Sequence, residues 1–124
     1  MTLYDRAELT RWGYRDVSPH ALHEAATPVL VVDVRAPQDY AAGHIPGATL
    51  VPSAQVGVAL PTWDHHADIV VVCRCGACSA QIAEALISAG FHQVMNLAGG
   101  MTAYAEAGLP IERGPWSHLK HPLT

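Results

Sequence analysis

A chain of 124 residues has room for one domain around a single hydrophobic core and none for a second domain of ordinary size. Half of the residues are apolar (50%) and the formal net charge is -4, which fits a soluble globular protein and lacks the basic excess that a nucleic-acid backbone demands of its partners.

Residues 1–14 carry Asp5, Arg6, Glu8 and Arg11 among their apolar positions, so they offer neither the apolar core of a signal peptide nor a membrane span. They are expected to lie at the periphery of a domain running over residues 15–116. Ser18 before Pro19 matches a helix cap with proline in the first turn, and the helix should continue to about Ala26, where Pro28 stops it. Residues 29–34 (VLVVDV) and 69–73 (IVVVC) are β-branched runs, apolar at nearly every position, as strands covered on both faces should be. Between them Pro46, Gly47, Pro52 and Pro61 break the chain into turns and short elements. Residues 79–90 (SAQIAEALISAG) place Ile82, Ala83, Leu86 and Ile87 on one stripe, with Ser79 as N-cap and Gly90 as the residue just past the helix end. Residues 94–97 form another strand, Gly99-Gly100 turns the chain, and residues 101–107 read as a short helix closed by Gly108 and Pro110. Residues 117–124 read as a tail. Strands alternating with helices imply right-handed crossovers and a mostly parallel sheet with helices on both faces, an α/β fold.

All three cysteines, Cys73, Cys75 and Cys78, fall within six residues, whereas a disulfide framework would spread an even number along the chain. Local thiol chemistry in a reducing compartment is the expectation, and the cytoplasm is the expected location.

Ligands of open α/β sheets bind outside the carboxyl ends of the strands, which is where Cys73 stands. The segment Cys73-Arg74-Cys75-Gly76-Ala77-Cys78-Ser79 joins a buried strand to an amphipathic helix, so a tight loop would aim backbone N–H groups at the Cys73 sulfur. Those groups, the helix terminus and Arg74 should lower its pKa from about 8.5 toward roughly 7 and raise the share of thiolate, the nucleophilic form. Gly76 permits a cramped backbone, and Ala77 is too small to block the cradle. An inert buried cysteine ending a strand is the alternative for Cys73 taken alone.

In order along the chain stand Ser18-Pro19, Val32-Asp33-Val34-Arg35, Asp39-Tyr40, Gly43-His44-Ile45-Pro46-Gly47-Ala48, the Cys73 loop, Leu97-Ala98-Gly99-Gly100-Met101 and Trp116. With these motifs the chain resembles the rhodanese family of sulfurtransferases, in particular its small single-domain members. The resemblance implies a single domain with a five-stranded, mostly parallel sheet, and a Cys73 that accepts sulfane sulfur as a persulfide and passes it to a thiol or cyanide, with no metal or organic cofactor. Its partners would be a small sulfur donor and acceptor, or a sulfur-relay protein. Arg74, Cys75, Gly76, Ala77, Cys78 and Ser79 would line the substrate site. Cys73 through Cys78 make a six-residue loop, the length typical of the family's sulfurtransferases, whereas phosphatase and arsenate-reductase relatives carry one residue more.

Many single-domain members read Cys-Arg-x-Gly-x-Arg-Ser, so Cys78 stands where they have a second arginine. Without that guanidinium fork, an anionic donor such as thiosulfate should be used poorly relative to thiol persulfides or polysulfides. Cys78 is also a candidate resolving thiol that would attack persulfidated Cys73 and leave a disulfide, although disulfide geometry is demanding in so short a loop. Asp33 and Arg35, at the same sheet edge, are expected to support the site as an ion pair or by orienting the loop. His44 is expected to shape a turn rather than to act as a base. His65-His66 with the thiols raises metal binding, which the clustering of the cysteines in one strand-to-helix loop disfavours. Trp12, Trp63 and Trp116 leave open a partner surface, and a redox-sensing or protein-interaction module is the non-enzymatic alternative.

Overall fold

Two apolar runs set the frame. Leu30–Asp33 (β3) and Asp68–Val72 (β5) pair in parallel, Leu30 opposite Ile69 and Asp33 opposite Val72. In the computed structural model, which describes residues 2–116, they are central strands of a sheet ordered β1-β2-β6-β5-β3-β4. Glu8–Leu9 is β1, Arg15–Val17 β2, Thr49–Leu50 β4 and Gln93–Leu97 β6. Every pairing is parallel except β1 with β2. Among the described residues the sheet therefore has six strands, one more than the five expected, and the one antiparallel to its neighbour is the edge strand β1.

Side chains of β5 alternate between the faces. Val70 and Val72 join one core with Val17, Met95, Leu97, Tyr40 and Tyr104, while Ile69, Val71 and Cys73 join the other with Val32, Ala83, Leu86 and Val94. Ile69 through Val72 are all fully buried, each contributing roughly 1.5–3 kcal/mol relative to exposure. The helices are α1 (Leu3–Arg6), α2 (Pro19–His23), α3 (Pro37–Ala42), α4 (Val56–Ala59, flanked by 3₁₀ turns), α5 (Ala77–Ser88) and α6 (Gly100–Glu106). They cover both faces, as an α/β fold requires.

Ser18 caps α2 as expected, its side chain accepting from the Ala21 N–H at 3.2 Å, but the helix ends at His23 rather than near Ala26. At the far end of α5, Gly90 has φ +98°, and the N–H groups of Gly90 and Phe91 bond the carbonyls of Ile87 and Leu86, the pairing of a left-handed helix stop. Residues 2–14 pack against the rest of the domain. Leu3 and Ala7 lie in one core, Tyr14 in the other, and a Thr2–Asp5 capping box starts α1. The tail expected over residues 117–124 lies outside the described residues. Among the described residues no helix is long and apolar enough to cross a membrane.

Candidate active site

Cys73 follows directly on β5 and opens the loop to α5. The first turn of α6 holds this loop by its backbone: the Met101 N–H donates to the Cys73 carbonyl at 2.9 Å and the Thr102 N–H to the Arg74 carbonyl at 3.0 Å. Gly76 is the N-cap of α5 with φ +93°, a left-handed conformation that lets the chain enter the helix within four residues of the strand. The helix thus begins at Ala77 with Gly76 as its N-cap, three residues before the expected cap Ser79. Ser79 sits in the first turn with its side chain turned inward, fully buried.

That turn converges on one atom. Cys73 Sγ, on a residue 5% exposed, accepts from the Gly76 N–H at 3.1 Å and the Ser79 N–H at 3.3 Å, and Ser79 Oγ lies 3.1 Å away. Burial pushes the Cys73 thiol up, but the Ser79 hydroxyl and the N–H groups of Ser79, Gly76 and Cys75 outweigh it and hold the thiol below its ordinary value. The expected help from Arg74 is not among the causes. Arg74, Cys75, Ala77 and Cys78 are exposed along the outer side of the loop, and Gly76 is buried beneath it. All three cysteines are free thiols.

The loop has a buried support that the sequence did not reveal. Asn96 of β6 accepts from the Ser79 hydroxyl at 2.5 Å and donates to the Gly76 carbonyl at 3.3 Å and to Asp16 Oδ1 at 3.2 Å. Asp16 is its register partner on β2. The available signal was an amide side chain inside a strand whose neighbours are apolar.

Residues 18–107 match one family, the rhodanese-like domain. The chain belongs to the rhodanese-like family. A sulfurtransferase of Allochromatium vinosum is 40% identical over 83 residues, covering 67% of this chain and 78% of that protein. The thiosulfate sulfurtransferase GlpE of Pseudomonas entomophila is 40% identical over 88 residues, covering 70% of this chain and 81% of that protein. Among solved structures, a rhodanese-related protein from Thermoplasma volcanium superposes with a TM-score of 0.74 at 25% identity, covering 80% of this chain and 98% of that one.

Within this rhodanese-like domain, Asp33 and Arg35 form a two-pronged ion pair at the end of β3. Arg35 Nε donates to Asp33 Oδ1 at 2.9 Å and Nη2 to Oδ2 at 2.7 Å, and Nη2 also reaches the Gly43 carbonyl at 2.8 Å. Asp33 is fully buried, so the pair ties the strand end to the end of α3. Arg35 and Arg74 share the rim of a cleft of about 310 Å³ with Asp39, Gly43, Met101 and Thr102. His44 is buried against Tyr40 with ring centroids 3.6 Å apart, and its Nδ1 faces the Tyr40 carbonyl at 2.7 Å. His65 and His66 precede β5 while Cys73 follows it, so the strand separates them from the thiols. Among the described residues no three His, Cys, Asp or Glu side chains gather as metal ligands. Trp12 stacks on Tyr14, Trp63 meets Phe91 edge-on and Trp116 meets Tyr40 edge-on.

Proposed function

We propose that this chain is a sulfurtransferase that carries sulfane sulfur on Cys73. The observation that carries the reading is the convergence of the Gly76 and Ser79 N–H groups on Sγ, which favours a thiolate there and an anion just beyond it. The thiolate attacks the sulfane sulfur of a donor. A bond forms between the two sulfurs, the donor's S–S bond breaks, and the leaving group departs as a thiolate or, from thiosulfate, as sulfite with the bonding pair. Cys73 then holds a persulfide whose outer sulfur bears the charge. A thiolate or cyanide attacks that outer sulfur and returns Cys73 as the thiolate. Electrons balance between donor and acceptor alone, so the exchange calls for no cofactor.

Cys78 supplies neither a positive charge nor a donor fork, so a thiol persulfide or polysulfide suits this loop better than thiosulfate. The acceptor is external, a small thiol, cyanide or the cysteine of a sulfur-relay protein. A Cys73–Cys78 disulfide would pull Sγ away from all of its donors, whereas the Cys78 thiol stands exposed. Three free thiols suit a reducing setting, and we assign the protein to the cytoplasm.

The test is to load the protein separately with thiosulfate and with a thiol persulfide, block free thiols and digest with trypsin. Cleavage after Arg74 separates Cys73 from Cys75 and Cys78. An added mass of about 32 Da, one sulfur atom, is expected on the Cys73 peptide, and it should persist equally in Cys78→Ser. No adduct on Cys73 with either donor would replace this reading with a redox-sensing or binding role.

A further inference from the structure

Ser79 has one hydroxyl proton and two neighbours that want it. Asn96 Oδ1 lies 2.5 Å from Ser79 Oγ, and Cys73 Sγ lies 3.1 Å from the same oxygen. The orientation of the Asn96 amide is fixed by its other end: Nδ2 faces two acceptors, Asp16 Oδ1 at 3.2 Å and the Gly76 carbonyl at 3.3 Å, so it must be the donor there. Oδ1 therefore faces Ser79 as an acceptor and takes the hydroxyl proton. With its proton so committed, Ser79 Oγ can meet Cys73 only as an acceptor, from the S–H of a neutral thiol. The chain S–H to Oγ–H to Oδ1, with N–H to the Asp16 carboxylate, runs in one direction, and each bond polarises the next.

Ionisation of Cys73 reverses one link. The sulfur then has no proton to give, and two lone-pair bearers face each other unless the hydroxyl swings from Asn96 to the thiolate. That swing leaves Asn96 Oδ1, on a residue 5% exposed, without its donor. We propose that Asn96, anchored by Asp16, is a positioning residue for the chemistry of Cys73, holding the Ser79 hydroxyl when the sulfur is neutral and releasing it when the sulfur is a thiolate. Where Cys73 carries sulfur, which rests on the function proposed above, its inner sulfur has neither charge nor proton and draws the hydroxyl less strongly than the bare thiolate does.

Other charges bear on the same sulfur, and they define the controls. Arg74 lies on the loop, the Asp33–Arg35 pair ends β3, and Asp16 stands on β2. The first turns of α5 and α6 bring no ionisable group except Cys78. The test reads Cys73 acidity from the pH dependence of its alkylation by iodoacetamide, monitored on the tryptic peptide ending at Arg74, so it holds whether or not the protein transfers sulfur.

Asn96→Leu is compared in the Ser79 protein and in the Ser79→Ala background. Loss of the Gly76 anchor acts in both, whereas release of the hydroxyl acts only where Ser79 is present. The shift caused by Asn96→Leu should therefore be more acidic in the Ser79 protein than in the Ser79→Ala background, by about half to one pKa unit. Equal shifts in the two backgrounds overturn the proposal. Should Asn96→Leu fail to fold, Asp16→Ala, at a partly exposed position, removes an acceptor from Asn96 Nδ2 and enters the same cycle. The loss of its charge acts in both backgrounds and cancels, so a residual acidic coupling supports the proposal and its absence overturns it.

Discussion

The carbonyl of Cys73 occupies the space that a Cβ on Gly100 would need: such an atom would sit 2.5 Å from the Cys73 oxygen and 2.6 Å from the Arg74 oxygen. Gly100 also has φ +60°, in the left-handed region. The first residue of α6 is thus pressed against the backbone that carries the Cys73 thiol. Gly100→Ala should cost roughly 1–2 kcal/mol for the conformation alone and more for the collision, lowering Tm by at least about 5 °C in a scanning melt. Because the collision displaces the loop, sulfur loading of Cys73 should fall as well. Gly108→Ala is the control. Its φ is +73° but nothing lies near its Cβ, so it should lower Tm less and leave loading unchanged.

Removing the guanidinium of Arg35 would strand the Asp33 carboxylate, which is fully buried, without its cation. Arg35→Ala should therefore cost about 3–5 kcal/mol in urea unfolding, far more than loss of an exposed pair. Replacing both residues by leucine should cost less than the sum of the single changes, since no charge is then left buried. A loss near 0.5 kcal/mol for Arg35→Ala would mean that water reaches the carboxylate and that the pair does not brace the sheet edge.

What could be read from the sequence follows from how much of each feature is local. Residues 29–34 and 69–73 announce buried strands because every position must be apolar when helices cover both faces. Strands β1 and β4 have two residues each, too few for any period, and exist because a neighbouring strand pairs with them. Ser79 matched a cap by residue preference, yet the left-handed Gly76 starts α5 early and turns the serine toward Cys73 instead. Asp16 and Asn96 are 80 residues apart, and only the parallel register of β2 with β6 sets them side by side. The Cys73 loop was legible because it is contiguous. Its support was not, because it is assembled by the sheet.

The lowered pKa of the Cys73 thiol makes folding depend on pH in a fixed direction. A thiol more acidic in the folded than in the unfolded chain adds stability that is fully present above the unfolded pKa, about 8.5, and is lost as pH falls through the folded value. The difference in unfolding free energy between the wild type and Cys73→Ser should accordingly rise in favour of the wild type from about pH 6 to about pH 9.5. A difference that is flat, or that falls with rising pH, would show that the donors around Sγ do not outweigh its burial.

On the proposed function, donor choice should turn on Cys78, exposed in the first turn of α5 at the outer edge of the loop. An arginine there would add a cation and a planar donor fork beside the anion cradle. Thiosulfate carries its charge on a sulfonate group that such a fork can grip by two hydrogen bonds, whereas a thiol persulfide presents a single charged sulfur that the loop N–H groups already serve. Because the position faces solvent, the gain is discounted from that of a buried pair. Cys78→Arg should raise kcat/KM for thiosulfate about three- to tenfold and change that for a small thiol persulfide by less than about twofold. Steady-state assays with both donors on both proteins decide it. An equal rise for the two donors would point to greater thiolate character at Cys73 rather than to recognition of the donor, and no rise for thiosulfate would remove charge at this position as the reason for donor preference.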